Sequence, residues 1–299
     1  MKEKTTLKIE HFIKKLVGRS IPEKILMPGH TWLLKILKRN LIKRRIFRFE
    51  VHLTEHCNLN CKYCNHFSSL AEKEFLDIET FERDLARISE LTERKIEWVD
   101  LLGGEPLLHP QLIAFLNLPR KYFDTGKIML VTNGILLLKQ PDEFWQSCNQ
   151  NNVEVRISQY PIKLDRLEIN RIAKKWKVTV RYMGEGTKTM CRTPLDLKGA
   201  QDAKDSFLRC RFANYSTYLE KGKIYPCPWI PNIRHFNRYF NKNLQVAEND
   251  YIDIYKAKSL DEILEFLCKP VPFCRHCNMK GMIYGLQWGI SKKEISEWV

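Results

Sequence analysis

Residues 48–64, RFEVHLTEHCNLNCKYC, join an alternating apolar stretch directly to a loop that carries three cysteines. Phe49, Val51 and Leu53 alternate with polar residues, which predicts a strand over Arg48–Thr54 with one face turned to a core. Because the cysteines follow so closely, we expect their loop at the carboxyl end of this strand.

Beyond this strand the chain alternates short apolar runs with segments of helical period. The clearest helix is Ile78–Thr92, in which Phe81 and Leu85 share a face and Asp77 supplies an N-cap. Strands that alternate with helices imply parallel pairing and right-handed crossovers, hence an α/β fold with a barrel or an open sheet. The strands are too few for a complete (βα)8 barrel. The further predicted strands are Glu97–Leu102, Lys127–Thr132, Glu154–Ser158 and Lys177–Tyr182, with a sixth near residues 189–197.

Polar side chains share one face of these strands. In the fourth strand Val155 and Ile157 point to one side, whereas Arg156 and Ser158 point to the other. The face that packs against helices must be apolar, so we expect the polar face to line an interior cavity. The alternative is that these residues are exposed to water at strand ends.

The alternation of strands and helices stops near residue 200. A hairpin is predicted over Tyr215–Leu219 and Ile224–Cys227, and a short helix over Leu260–Leu267. We therefore predict three parts: a basic helical extension over residues 1–47, a main domain over 48–200, and a small α+β module over 201–299.

The charge of the 299-residue chain is concentrated at its N-terminus. The formal net charge is +15, and residues 1–48 hold 14 Lys and Arg against 3 Glu. The segment Trp32–Ile46 has an amphipathic helical pattern, for which we favour a helix docked on the body with a solvated basic face. Peripheral contact with an anionic membrane surface is the second interpretation, and nucleic-acid contact is not expected because no binding motif accompanies the charge.

Composition limits the class of protein. At 44% hydrophobic and 28% charged residues, the chain is neither disordered nor fibrous. No apolar run is long enough to span a membrane, and the N-terminus lacks the apolar core of a secretory signal. A cytoplasmic protein is therefore expected, in which the 10 cysteines serve metal or redox chemistry rather than disulfides.

Cys57, Cys61 and Cys64 have the spacing C-x3-C-x2-C. Three thiolates on one loop can hold one soft-metal centre. A 4Fe–4S cluster usually takes four protein thiolates, so three leave one iron open to another ligand. The alternative is zinc, with His56 or His66 as the fourth ligand.

This loop resembles the CxxxCxxC signature of the radical S-adenosylmethionine (radical SAM) superfamily, including the aromatic Tyr63 before the third cysteine. A second motif, Gly103-Gly104-Glu105-Pro106, ends the predicted second strand. The resemblance covers about residues 47–185 and implies a partial (βα)6 TIM-like barrel that uses SAM and an open 4Fe–4S cluster.

The resemblance also implies the contacts of SAM. In the family, the segment equivalent to GGEP binds the amino group of the methionine part of SAM. Asn133, at the end of the third strand, is a further candidate contact, although an Asn-Gly pair also suits a plain turn. Ser158 lies where the fourth strand often offers a polar group to the ribose.

Four later cysteines are similar to the auxiliary-cluster "twitch" module of some radical SAM enzymes. Cys210, Cys227, Cys274 and Cys277 would together ligate one auxiliary 4Fe–4S cluster, with a structural zinc site as the alternative. The three other cysteines are expected to be small buried residues, although Cys191 and Cys268 flank the module and stay open as a late ligand or a thiol hydrogen donor. These three are Cys148, Cys191 and Cys268.

The implied activity is reductive cleavage of SAM to a 5′-deoxyadenosyl radical, which abstracts hydrogen from a substrate in the barrel. A closed auxiliary cluster would accept an electron, as in the dehydrogenases of the family that oxidise an aminocyclitol or sugar alcohol. A flavodoxin or ferredoxin would supply the reducing electron. A general base is also needed, and its candidates are His52, Asp100, Arg156, Arg181 and Arg192.

The substrate is the least determined part. The segment Cys64–Ser68 resembles a radical SAM group found beside bacterial surface-polysaccharide genes, which indicates a sugar-like small molecule, with a lipid- or nucleotide-linked form left open. A radical SAM peptide maturase and an epimerase are the alternatives within the family. A zinc-stabilised scaffold that docks partners on its basic N-terminus is the alternative outside it.

Overall fold

An eight-stranded sheet, covered by helices on one face, forms the frame of the protein. The computed structural model describes residues 47–184, 189–210, 212–213 and 216–299. The strand order is β5-β4-β3-β2-β1-β7-β8-β9, and a separate pair is formed by β10 and β6. The strands are β1 Arg48–Thr54, β2 Trp98–Gly103, β3 Lys127–Thr132, β4 Val153–Ser158, β5 Val180–Met183, β6 Thr189–Arg192, β7 Tyr218–Glu220, β8 Lys223–Tyr225, β9 Ile252–Asp253 and β10 Ile283–Gln287. The helices are α1 Ile78–Leu91, α2 Leu112–Tyr122, α3 Asp142–Gln150, α4 Arg166–Lys175, α5 Ala203–Arg209, α6 Trp229–Phe240 and α7 Leu260–Leu267.

The six strands from β5 to β7 in this order are parallel, and the short strands β8 and β9 continue the sheet antiparallel. Within the described part of the chain β5 and β9 are the two edges, so the sheet stays open. The α/β class and the partial-barrel arrangement predicted from the sequence are therefore confirmed.

The outer face of the sheet is apolar, as the alternation predicts. Val51, Leu101, Leu130 and Val155 are buried in the core that the sheet forms with its helices. Helix α1 packs here through residues such as Leu85 and begins where expected, because the Asp77 side chain accepts a hydrogen bond from the backbone N–H of Thr80.

The inner face carries charged residues in register. Glu50 pairs with Asp100 across β1 and β2, and Met129 lies between Asp100 and Glu154. Two residues after Glu154 on β4, Arg156 pairs in register with Arg181 of β5. The Nε atoms of both arginines contact the Glu154 carboxylate, at 2.7 and 2.9 Å.

The last part of the predicted sheet differs from the structure. The predicted strand near residues 189–197 corresponds to β6, which pairs antiparallel with β10 outside the main sheet. The sixth parallel position is taken by β7, the first strand of the predicted hairpin, because Tyr218 and Leu219 are buried against β1. The sheet therefore continues past residue 200, where the sequence predicted a separate module. Strand β5 also starts later than predicted, since Lys177 adopts a left-handed φ of 56° in the preceding turn.

A second apolar core joins the cysteine loop to the C-terminal part. Phe67 lies three residues after Cys64 and is fully buried. Its ring contacts Trp229 at the start of α6, with centroids 5.6 Å apart, and Trp298 at 6.2 Å. The loop is therefore packed from both sides by residues far from it in sequence.

The predicted basic helix Trp32–Ile46 and its membrane contact lie outside the described residues. In the ranges that the structure describes, no helix combines the length and the apolar character needed to cross a membrane.

Candidate functional site

The loop between β1 and α1 brings Cys57, Cys61 and Cys64 together at the carboxyl edge of the sheet. Two residues between them, Asn60 and Tyr63, have left-handed φ angles of 51° and 60°. Such angles are uncommon for residues other than glycine and concentrate at functional sites. These turns fold the loop so that the three thiols lie against one cavity.

Burial raises the pKa of the Cys57 thiol to about 11 and that of Cys61 to about 12, and the nearby cysteines of the loop add to both shifts. N–H groups approach these sulfurs: the backbone of Leu59 at 3.4 Å from Cys57, and the indole Nε1 of Trp288 at 3.2 Å from Cys61. The Asn133 side-chain amide also points to Cys57 Sγ, at 3.8 Å. Donors of this kind stabilise negatively charged sulfur ligands.

The cavity has a volume of about 240 Å³ and opens to solvent. Four predicted SAM contacts line it beside the cysteines, namely Gly103, Gly104, Asn133 and Ser158. Other lining residues were not singled out as SAM or substrate contacts, among them Thr132, Tyr160, His66 and Met190.

Gly103 and Gly104 are required by the backbone of the cysteine loop. A Cβ on Gly104 would lie 2.1 Å from the carbonyl oxygen of His56, and one on Gly103 would lie 2.3 Å from that of Thr54. Gly103 also has a φ of 148°. The end of β2 and the start of the loop therefore approach more closely than any side chain allows.

Glu105 and Pro106 lie behind the cavity wall. The Glu105 carboxylate is fully buried and accepts hydrogen bonds from Thr132 Oγ1 and from the backbone N–H of Leu107 and Asn133, at 2.6 to 3.1 Å. Burial raises its pKa to about 7. Pro106 begins a short 3-10 helix. In this arrangement Glu105 positions Asn133 and is not among the residues that line the cavity.

A chain of buried polar groups leads away from the cavity. His66 stacks on His52, with centroids 4.7 Å apart, and their ring nitrogens Nδ1 and Nε2 are in contact. His52 Nδ1 lies 3.2 Å from Glu55 Oε2, which His235 Nε2 approaches to 2.9 Å. Burial opposes ionisation of Glu55, but His52, His235 and Arg234 hold its pKa well below the usual range. The ring of His66 is thus fixed at the cavity wall.

The five predicted general-base candidates lie outside the lining of this cavity. His52 reaches it through His66, and Asp100 lies deeper on the inner face, where burial raises its pKa to about 7. Arg156 and Arg181 are held by Glu154. The Arg192 guanidinium lies 6.0 Å from the centroid of the Tyr63 ring and bonds the backbone oxygen of Ser296.

A second group of thiols forms where α5, α6 and the 3-10 helix Pro272–His276 meet. Burial, together with Cys227, Cys210 and Cys274, raises the pKa of Cys277 well above its ordinary value. The pKa of Cys227 is raised in the same way by burial, Cys210 and Cys274. The four cysteines predicted for an auxiliary site are therefore neighbours.

Two of the remaining cysteines lie elsewhere in the fold. Cys148 is fully buried in the main core, as expected of a small apolar residue. Cys268 ends α7 and packs at the edge of that core. Cys191, the third, lies in β6, half-buried.

The residue types in the two groups of thiols are those of the two predicted cluster sites. The thiols of the first group line one cavity, where N–H groups point at Cys57 and Cys61, and the four thiols of the second group lie near one another in the interior. Cysteine thiols are the usual protein ligands of iron–sulfur clusters. Over the described residues, no three His, Cys, Asp or Glu side chains converge closely enough to hold a single metal ion.

Comparison with known proteins gives the family. A model described as the radical SAM superfamily matches residues 51–190. The GTP 3′,8-cyclase of Clostridium botulinum (strain Langeland) is 26% identical over 255 residues, which cover 79% of this chain and 77% of the relative. That of Alkaliphilus oremlandii is 29% identical over 99 residues, so the match spans 33% of this chain and only 31% of the relative.

Solved structures are more distant. BtrN in complex with AdoMet and 2-DOIA is 16% identical, with a TM-score of 0.47 over 79% of this chain and 94% of that one. AdoMet-bound anSMEcpe is 15% identical, with a TM-score of 0.45, and the match covers 77% of this chain and 82% of that one. The cavity is therefore assigned from the family match: the chain carries a radical SAM superfamily domain over residues 51–190, of the enzyme class whose cofactors are a 4Fe–4S cluster and SAM.

Proposed function

We propose that this protein is a radical SAM oxidoreductase that converts a secondary alcohol of a small sugar or aminocyclitol into a ketone. The observation that carries the proposal is that three thiols line the cavity while four further thiols lie near one another elsewhere. We take the first group as an open ligand set and the second as a closed one. Four protein thiolates complete the ligands of a 4Fe–4S cluster. The second site therefore suits electron transfer rather than coordination of a substrate.

The residues divide into binding and positioning roles. Cys57, Cys61 and Cys64 would hold the first cluster, while Cys210, Cys227, Cys274 and Cys277 would hold the second. The backbone of Gly103 and Gly104, with Asn133 and Ser158, would bind SAM. When bound, these cofactors supply a hydrogen-abstracting radical and an electron acceptor, and a flavodoxin or ferredoxin supplies the first electron.

Polar groups in the cavity lining support the proposed substrate class. His66, fixed by His52, lines the cavity together with Asn133, Ser158 and Tyr160. Hydroxyl, amide and imidazole groups of this kind hydrogen-bond a polyhydroxylated molecule. A surface-polysaccharide precursor is the biological form of substrate that we favour.

Cysteine variants test the two cluster assignments separately. Cys61→Ala should abolish 5′-deoxyadenosine formation from SAM and dithionite, because the first cluster loses a ligand. Cys227→Ala should still form 5′-deoxyadenosine but yield no ketone, since the second electron has no acceptor. The matched control is Cys148→Ala in the core, which should retain both products. Normal turnover by Cys227→Ala would refute the oxidation mechanism.

Deuterated substrates test the alcohol. Anaerobic incubation with candidate sugars and aminocyclitols that carry deuterium at the carbinol carbon should place one deuterium in 5′-deoxyadenosine and release a ketone in equal amount. Deuterium transfer followed by an inverted alcohol would instead identify an epimerase.

Nucleotide cyclisation is a second candidate, because the relatives that span most of this chain are named GTP 3′,8-cyclase. If the protein is a nucleotide cyclase, incubation with GTP and SAM should consume both compounds. The Cys227→Ala variant can distinguish cyclisation from alcohol oxidation only after a substrate is found. A peptide maturase remains the other alternative, and it would be identified by SAM consumption only in the presence of a peptide.

A further inference from the structure

The last residues of the chain pack against the first cysteine loop. Residues 288–298, here called the C-terminal strap, cross the cysteine loop in the manner of an added strand. Lys62 donates its backbone N–H to Gly289 O at 2.8 Å, and Ser291 donates to Asn60 O at 2.7 Å. Ile290 forms an antiparallel bridge with Cys61 between these two bonds.

The strap is anchored at its far end. Trp298 is buried, its indole Nε1 donates to Cys64 O at 3.2 Å, and its backbone oxygen accepts from Leu195 at 2.7 Å. Glu297 closes the intervening turn by accepting from Ser291 Oγ and from the backbone of Lys292, at 2.6 and 2.7 Å. The strap is therefore fixed before and after its passage over the loop.

One side chain of the strap reaches a ligand sulfur. The indole Nε1 of Trp288 lies 3.2 Å from Cys61 Sγ, and its ring packs beside Tyr160, with centroids 6.2 Å apart and planes inclined by 36°. Tyr160 itself is close to all three thiols of the loop and lines the cavity. The indole is thus held by an aromatic neighbour so that its only donor points at the sulfur.

We propose that Trp288 is a positioning residue of the radical SAM centre, whose N–H···S bond to Cys61 raises the reduction potential of the cluster held there. Reduction adds negative charge to the cluster and its sulfur ligands, and a fixed N–H dipole stabilises that charge. The bond therefore favours the reduced state from which SAM is cleaved. This inference rests on the radical SAM domain and is independent of the proposed substrate.

Two substitutions at position 288 test the bond. In Trp288→Phe the donor is lost with part of the ring, and replacement by 3-benzothienylalanine removes the N–H but keeps the bicyclic shape beside Tyr160. Both proteins are reduced stepwise under anaerobic conditions, and the first cluster is followed by the EPR signal that changes when SAM is added. We expect the midpoint potential of this cluster to become more negative in both variants. Both variants should retain the iron content of the wild type.

The matched control is Trp298→Phe. This substitution also removes an indole N–H that binds the cysteine loop, but the lost hydrogen bond is to the backbone oxygen of Cys64 instead of to a sulfur. It should lower the midpoint of thermal unfolding and leave the midpoint potential of the cluster unchanged. A wild-type potential in the benzothienylalanine protein would overturn the proposal. So would an equal shift of potential in Trp298→Phe, because the effect would then come from packing of the strap.

Discussion

Asp100 and Glu50 are two half-buried carboxyl residues that pair in register across β1 and β2. Burial raises the pKa of Asp100 to about 7 and that of Glu50 to about 8, and Asp100 adds to the shift of Glu50. Arg48 and Arg156 oppose these shifts without cancelling them. Both groups thus favour the protonated form in the folded protein.

These pKa values give the stability a defined pH dependence. At these two groups the folded chain binds more protons than the unfolded chain between about pH 4 and pH 8, so their contribution to the free energy of unfolding should fall as the pH rises through this window. Asp100→Asn removes one such group. The fall in the free energy of unfolding between pH 5 and pH 8 should therefore be smaller in this variant by roughly 2 kcal/mol. Thermal unfolding at the two pH values measures this. The exposed control Asp142→Asn should leave the difference unchanged, and an unaltered slope in Asp100→Asn would contradict the prediction.

At the scale of elements, the junction of β2 with the cysteine loop leaves no space for a side chain. Gly104→Ala should displace the loop, because the new Cβ would lie 2.1 Å from the His56 oxygen. We expect a loss of about 3 kcal/mol of stability and loss of iron from the first site. The control is Gly289→Ala on the opposite side of the loop, where the nearest atom is Lys62 Cδ at 3.8 Å. Iron analysis and thermal unfolding of both variants test this prediction. Full iron loading in Gly104→Ala would contradict it.

Local sequence patterns predict the elements that local physics determines. The bounds of β1, β3 and α7 agree with the structure residue for residue, since apolar alternation or a capping residue marks them. The position of β7 in the sheet is not a local property: Tyr218 and Leu219 could equally have belonged to an isolated hairpin. Only their burial against β1, more than 160 positions earlier in the chain, places them in the sheet.

The same limit applies to the candidate site. The spacing of Cys57, Cys61 and Cys64 predicts one site because the three residues are close in sequence. Trp288 has no such signal, since it reaches Cys61 across 227 positions. His66 lies two residues after Cys64, but only the position of His52 on β1 shows that the imidazole is fixed at the cavity wall.

At the scale of the whole molecule, the two groups of cysteines predict the metal content. Anaerobically purified protein should be brown and hold about eight irons and eight sulfides per chain, four for each site. Cys277→Ala should hold about four, since it removes a ligand of the second site only. Colorimetric iron and sulfide analysis measures both values. A colourless wild-type protein loaded with zinc would instead support a metal-stabilised scaffold.

The contact between Phe67 and Trp229 joins residues that adjoin the two groups of thiols, Cys64 on one side and Cys227 on the other. If both groups of thiols hold clusters as we propose, oxygen that destroys one cluster should loosen the aromatic packing between the two sites. Damage in air would spread from one centre to its neighbour, and the brown colour of both should fade together instead of in two separate phases.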